Sequence, residues 1–300
     1  MLSLVPTLTP VSSALALDIG GSHVTAAVVD ASARAVLPSS RIHAPVPQDA
    51  PADVILEAWA DAARHAAGAA RVDAIGLAVP APFEYATGVS RLQHKFAALY
   101  GLNVLGGLRA CLAGTPLAAL PVVFGNDADL FALGEWWAGA ARGEARVIGV
   151  TLGTGLGAGF IDAGAVITDR VDVPPGGELW NTPYLDGIAE AYACGAAVTR
   201  AYAAQTGETA SAAEVARRAP HDPAARAAFE TLGRHLGAIL RPHVAAFGAS
   251  CVVVGGNVAR AWPLFSHALQ GALPGVACRP SVRFDEAALL GAAVLTQRAP

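Results

Sequence analysis

Residues 147–161, VIGVTLGTGLGAGFI, constrain this chain more than any other stretch. A β-branched run enters a loop with glycines at 153, 155, 157 and 159, then leaves through a second apolar run. Glycine has no Cβ, so such a loop turns tightly and brings backbone N–H groups close to a phosphate. A plain hairpin turn has the same composition. Here the loop has a partner near the N-terminus, where residues 14–30 read ALALDIGGSHVTAAVVD: strand, Asp-x-Gly-Gly-Ser turn, strand. Two such units, each followed by more chain than one small domain needs, point to two lobes pinching a nucleotide.

The 300 residues suffice for one large domain or two medium ones. With 54% hydrophobic and 15% charged residues, a sizeable core is available. Alanine-rich helical stretches alternate with Gly/Val-rich strands, which predicts an α/β fold. The net charge of −4 and the lack of a basic run argue against nucleic acid as the main partner. The four cysteines, Cys111, Cys194, Cys251 and Cys278, form no C-x-C or C-x-x-C pair and read as free thiols in a reducing cytosol. The first thirteen residues carry no Lys or Arg and two prolines, which makes a poor signal peptide. No stretch of about 20 residues is free enough of charges and breakers to span a bilayer. The expected location is cytoplasmic, with no membrane partner.

Spacing predicts a hairpin over 14–30, a helix over 53–67 with Asp53 as acidic cap, and a strand over 74–79 closed by Pro80-Ala81-Pro82. A short helix is expected at 107–112, a strand at 121–124 and a helix at 128–138. Residues 187–205 and 223–247 read as longer helices, the second with Pro242 as a kink. A buried strand over 250–254 leads into Gly255-Gly256-Asn257, which opens a helix, and 286–297 is a final Ala/Leu helix. The lobe boundary is expected near 117–121. An N-terminal lobe would cover 1–118, with a C-terminal helix 287–300 packing back on it, and a C-terminal lobe 119–286.

Four segments, ALDIGGSHV, FGNDADLFALGEW, GVTLGTGLGAGF and VVVGGNVARAW, follow one another in an order and spacing that resembles the ROK sugar kinases. These are bacterial-glucokinase-like members of the actin/hexokinase/Hsp70 superfamily. The resemblance implies an α/β, two-lobed actin-like ATPase (ribonuclease H-like) fold, with nucleotide and sugar in a cleft between the lobes. It also implies Mg²⁺ and ATP as co-substrate. Asp18 would orient hydrated Mg²⁺, and Gly20, Gly21 and Ser22 would face the phosphates, Ser22 keeping the family's hydroxyl. His23 either reaches the ligand or is an ordinary surface side chain. Asp127 would be the catalytic base, taking the proton of a sugar hydroxyl as that oxygen attacks the γ-phosphorus. Such a base contributes about 10²–10⁴-fold. Asn126 would hydrogen-bond a neighbouring hydroxyl. Read locally, Asn126 and Asp127 suit a helix cap as well. In Gly153-Thr154-Gly155 the Thr154 hydroxyl can reach the β- or γ-phosphate. The resemblance puts Gly255-Gly256 at the adenosine, with Asn257 replacing the usual third glycine by a residue that tolerates positive φ.

The sugar site departs from the family pattern. Members carry Gly-Glu-x-Gly-His, then a cysteine cluster, then Leu-Glu. This chain reads Gly177-Glu178-Leu179-Trp180-Asn181, then residues 182–186, then Gly187-Ile188-Ala189-Glu190. Glu178 and Glu190 survive as acceptors for sugar hydroxyls. Asn181 stands where the family has a histidine that is both zinc ligand and sugar contact, and the cysteine cluster is missing. Structural zinc takes about four Cys/His ligands, so no zinc is expected. Asn181 still donates and accepts hydrogen bonds, while Trp180 offers either a flat face for a sugar ring or core packing. Pro80-Ala81-Pro82 replaces Pro-Gly-Pro, and Gln93, His94 or Lys95 stands where an asparagine usually meets the sugar's edge.

The chain is therefore expected to be an ATP-dependent kinase of a hexose or related sugar. Two other readings are a non-catalytic sugar-binding protein and a kinase of a non-hexose acceptor. Carboxylates at 178 and 190 favour a polyol ligand. A sugar-responsive repressor is not expected, since such members carry an N-terminal helix-turn-helix and thirteen residues precede the first strand. Trp136 and Trp137 suit either a core or the interface of a homodimer, which family members often form.

Overall fold

The structure, a computed structural model, describes residues 11–298. Runs buried on both faces belong to covered sheets, and the first two strands are of that kind. β1 (Ser13–Ile19) and β2 (His23–Asp30) pair antiparallel, with Leu17 opposite Ala26 and Asp18 opposite Thr25. β3 (Ala35–Val36) and β4 (Ile42–Pro45) both pair with β2. On its other side β1 pairs parallel with β5 (Ala74–Val79). After the small hairpin of β6 (Phe83–Glu84) and β7 (Val89–Ser90), β8 (Val122–Asn126) pairs parallel with β5. The sheet order is β3-β2-β1-β5-β8.

α1 (Ala52–Ala67) presents Ile55, Leu56, Trp59, Ala62, Ala63 and Ala66 at helical spacing, and all are buried. Trp59 meets Phe96 edge-on, with ring centroids 5.5 Å apart. α2 (Val104–Cys111) starts at an Asn103 cap whose Oδ1 accepts from Gly106 N at 2.8 Å. α3 (Asp127–Ala138) follows β8 directly.

The second sheet repeats the plan. β9 (Arg146–Leu152) and β10 (Leu156–Asp162) form a hairpin extended by β11 (Ala165–Val166). β12 (Pro183–Tyr184) and β13 (Gly187–Ile188) make a separate small pair. After the helices α4 (Gly195–Thr206), α5 (Ala212–Arg218) and α6 (Pro223–Phe247), β14 (Cys251–Gly255) pairs parallel with β9. α7 (Trp262–Ala272) leads to β15 (Ala277–Pro280), parallel to β14, and α8 (Ala287–Thr296) ends the described chain. The order β11-β10-β9-β14-β15 follows the β3-β2-β1-β5-β8 path of the first sheet, which has β4 on β2 as a sixth strand. Glu135, fully buried, accepts from Ala140 N (2.7 Å), Ser281 Oγ (2.5 Å) and Arg283 N (3.0 Å), and so ties the end of α3 to the turn after β15. The four cysteines are free, and burial pushes the thiols of Cys251 and Cys278 up to about 11. No described helix is long and apolar enough to cross a membrane.

Several expected boundaries move. The chain divides into two compact units, one holding the described residues to Leu130 and from Ala288 onward, the other Phe131–Ala287. The division thus falls inside α3 and not near 117–121, because β8 belongs to the first sheet. Asp53 lies in the first turn of α1; the cap position is Pro51, with no side-chain cap bond. Residues 187–205 are not one helix. β13 and a 3₁₀ turn (Ala189–Ala191) come first, and α4 begins only at Gly195, whose N–H donates to the Gly153 carbonyl at 2.9 Å. α6 runs unbroken through Pro242. Trp137 is buried, and the Trp136 indole donates to the Glu144 carbonyl at 2.9 Å.

Gly291 in α8 lies flush against the Leu130 carbonyl of α3, so a Cβ there would overlap backbone. Overpacking of this kind costs about 1–3 kcal/mol, occasionally more. Gly291→Ala is expected to lower the thermal midpoint clearly. Gly271→Ala on α7, where no described atom lies within 4 Å of the added Cβ, is expected to leave it unchanged or raise it slightly. Equal melting of the two variants would contradict this packing.

Candidate active site

In the first unit the predicted residues gather at the carboxyl ends of parallel strands, the edge where open α/β sheets bind ligands. Asp18 is the next-to-last residue of β1, in register with Ala78 of β5; Val79 of β5 is in register with Asn126 of β8. Asp18 is partly accessible amid buried neighbours, Gly20 and Gly21 are half-buried, and Ser22 is exposed. The turn closes through Gly20 N–H to the His23 carbonyl at 2.9 Å. The His23 ring covers the open face of Gly20, its Nε2 2.8 Å from where a Cβ would sit, and it packs on His43 with centroids 4.6 Å apart.

Asn126 is the cap of α3. Its Oδ1 accepts from Ala128 N (2.9 Å) and Asp129 N (3.2 Å), while its Nδ2 donates to the Tyr85 hydroxyl at 3.2 Å. Tyr85 in turn donates to the Val79 carbonyl at 3.1 Å. The amide is therefore oriented from both ends and keeps one N–H donor. Asp127, at the first helical position, accepts from Ala128 N at 2.9 Å through Oδ1. Desolvation pushes its carboxyl above the ordinary value of 3.8; the Ala128 N–H and the Lys95 ammonium pull the other way.

In the second unit the predicted residues again meet at one sheet edge. The turn Gly153-Thr154-Gly155 follows β9, and Gly255, the last residue of β14, is in register with Thr151. Gly256 takes φ +82° and presses on the Leu152 carbonyl, which leaves no room for a side chain. Asn257 has φ −64°, so its tolerance of positive φ is not called on; Gly256 alone supplies the left-handed residue. Thr154 and Asn257 are exposed, and no described atom lies within 4 Å of a Cβ on Gly153.

Glu190 reaches this turn directly. Its Oε2 accepts from Leu156 N at 2.9 Å and lies over Gly155. The Trp180 indole donates to Glu178 Oε2 at 2.8 Å, and Trp180 is 42% exposed, so it is not core. Asn181 is exposed beside it. Among the described residues no group of three or more His, Cys, Asp or Glu side chains could hold a metal ion. Sequence reasoning missed Tyr85, the attachment of Glu190 to the second glycine turn, and the approach of Lys95 to Gly21. Only the last carried a signal, since Lys95 stood among three alternatives.

The ROK family profile matches residues 14–173 and 184–299. The unmatched interval, 174–183, holds Glu178, Trp180 and Asn181. A glucokinase of Thermotoga maritima is 30% identical over 135 residues, 42% of this chain and 40% of that one. The chain thus spans well under two thirds of that curated relative. A ROK hexokinase structure from Thermus thermophilus is 28% identical with a TM-score of 0.78, covering 96% of this chain and 100% of that one. A ROK family glucokinase from Streptomyces griseus, solved with glucose and AMPPNP, is 24% identical with a TM-score of 0.73, covering 96% and 100%. The fold is the α/β actin-like ATPase fold.

The Asp127 carboxyl binds its proton more tightly folded than unfolded. The resulting destabilisation is absent below the ordinary carboxylate range and complete above the raised folded value. Asp127→Asn removes it, and the new amide oxygen still accepts from Ala128. The variant is expected to melt at a higher temperature than the parent at pH 7 and at the same temperature near pH 3. A lower midpoint at pH 7 would show the carboxylate to be stabilising.

Proposed function

We propose that this chain, which belongs to the ROK family, is an ATP-dependent sugar kinase that moves the γ-phosphoryl group to a hydroxyl of a hexose or related sugar. The observation that carries this reading is the placement of the partly buried Asp127 at the start of α3, at the same sheet edge as the Asp18–Ser22 turn; desolvation raises its carboxyl above the ordinary value. A carboxylate made less comfortable by burial is the stronger base. In the proposed step the acceptor hydroxyl gives its proton to Asp127 while its oxygen bonds to the γ-phosphorus. The bond from that phosphorus to the β–γ bridging oxygen breaks, and ADP leaves with the electron pair.

Backbone N–H groups of Gly21 and Gly155, with the Ser22 and Thr154 hydroxyls, would hold phosphate oxygens, while the N–H groups of Gly20 and Gly153 close those turns on the His23 and Gly155 carbonyls; Gly255, Gly256 and Asn257 would hold the adenosine. Asp18 fits Mg²⁺, because that ion binds through one or two carboxylates plus substrate phosphates and keeps several waters. When bound, the ion neutralises phosphate charge. Asn126 has one N–H left for a sugar oxygen, and Glu178, Asn181 and Glu190 offer hydroxyl partners. Trp180, exposed and held by Glu178, supplies a flat face for the ring. The glucokinase and hexokinase among the relatives support a sugar acceptor, and the AMPPNP complex of one supports ATP.

Coupled ADP release with Mg·ATP against hexoses, N-acetylhexosamines and pentoses tests the reading. Release with one sugar is expected, falling about 10²–10⁴-fold in Asp127→Asn; turnover unchanged in that variant would remove Asp127 from the role. Trp180→Ala is expected to raise the sugar KM about 3–10-fold with little change in kcat, as suits a stacking face worth about 0.5–1.5 kcal/mol. An unaltered KM would return Trp180 to a purely structural part.

A further inference from the structure

Lys95 is the one lysine among the 20 basic Lys and Arg residues of this chain. Its side chain lies along the first glycine turn: a Cβ on Gly21 would sit 3.0 Å from Cε, 3.2 Å from Cδ and 3.3 Å from Nζ. The same ammonium bears electrostatically on Asp127. The backbone behind it is fixed. Phe96, the next residue, is fully buried against Trp59 and takes φ +51°, a left-handed conformation that non-glycine residues rarely adopt. That reversal buries one side chain and leaves Lys95 exposed over Gly21. Its charge is the cation that lowers the Asp127 carboxyl against the upward push of desolvation.

From this placement, and resting on the kinase reading above, we propose that Lys95 is a catalytic residue that grips the transferring γ-phosphoryl group. Charge in phosphoryl transfer spreads over the three equatorial oxygens, and a cation fixed in place stabilises it more than mobile water does. A glycine turn offers N–H groups but no net charge, and Asp127 beside it is negative once ionised. The Lys95 ammonium, lying on the turn and within electrostatic reach of Asp127, supplies the missing positive charge. Lysine suits the task as a compact, rotatable point charge; a planar guanidinium would crowd the Gly21 turn.

Lys95→Met keeps the stem and removes the charge; Lys95→Arg keeps the charge and changes its shape. Calorimetry with Mg·ADP and Mg·AMPPNP, together with sugar-dependent ADP release, separates the outcomes. Lys95→Met is expected to bind AMPPNP about tenfold more weakly, to bind ADP as the parent does, and to lose about 10²–10³ in kcat. Lys95→Arg is expected to recover the AMPPNP affinity in part. Unchanged AMPPNP affinity and kcat in Lys95→Met would overturn the proposal, as would a rise confined to the sugar KM. Equal weakening of ADP and AMPPNP in both variants would mark a structural role and overturn it too. The nucleotide arm needs no sugar turnover. A parent that distinguishes the two nucleotides yet phosphorylates no sugar therefore refutes the kinase reading alone, and a parent that binds neither refutes both.

Discussion

In each unit a hairpin is flanked on one side by two further strands that run parallel to its first strand. Parallel pairing requires a crossover, so successive strands all end at the same edge. The registers Asp18 with Ala78 and Val79 with Asn126 therefore bring the first glycine turn and the start of α3 to one place. Neither loop has to reach for it. In the second sheet the register of Gly255 with Thr151 does the same for the 153–155 turn and Gly256. Both edges carry a glycine turn, and the first strand of each hairpin and the strand parallel to it are largely buried.

Two neighbouring polar residues at the β8–α3 junction divide two tasks that local sequence could not separate. Asn126 satisfies the helix end and is itself steered by Tyr85, whereas Asp127 makes one short bond to its own neighbour. A capping Asp would accept from the second or third N–H and lose basicity to it. Asn126 takes both the Ala128 and the Asp129 N–H while Asp127 shares only the Ala128 N–H, and desolvation outweighs that one acidifying bond, a local cost of the kind found at strained positions.

Both hairpins, the buried strands and the order of the motifs were legible because they depend on short-range patterning: paired apolar runs around glycine turns, and caps placed before helices. Residues 187–205 misled because their alanines and aromatics have helical composition, while the start of α4 is set by the Gly195 bond to Gly153, some forty residues away in sequence. Asn257 misled for a similar reason, since the strained φ fell on Gly256, which faces the Leu152 carbonyl. Trp180 was ambiguous until its exposure and its bond to Glu178 were known. Such contacts join residues that no spacing rule connects.

Glu190 has two carboxylate oxygens, and one of them already accepts from the N–H of Leu156, the first residue after the second glycine turn. Gly195, four residues past the 3₁₀ turn, holds the other arm of the same turn through Gly153. Both ends of the segment 190–195 are thus pinned to the second glycine turn. The turn and the segment cannot shift independently without breaking one of these bonds, so the conformation of one is a constraint on the other.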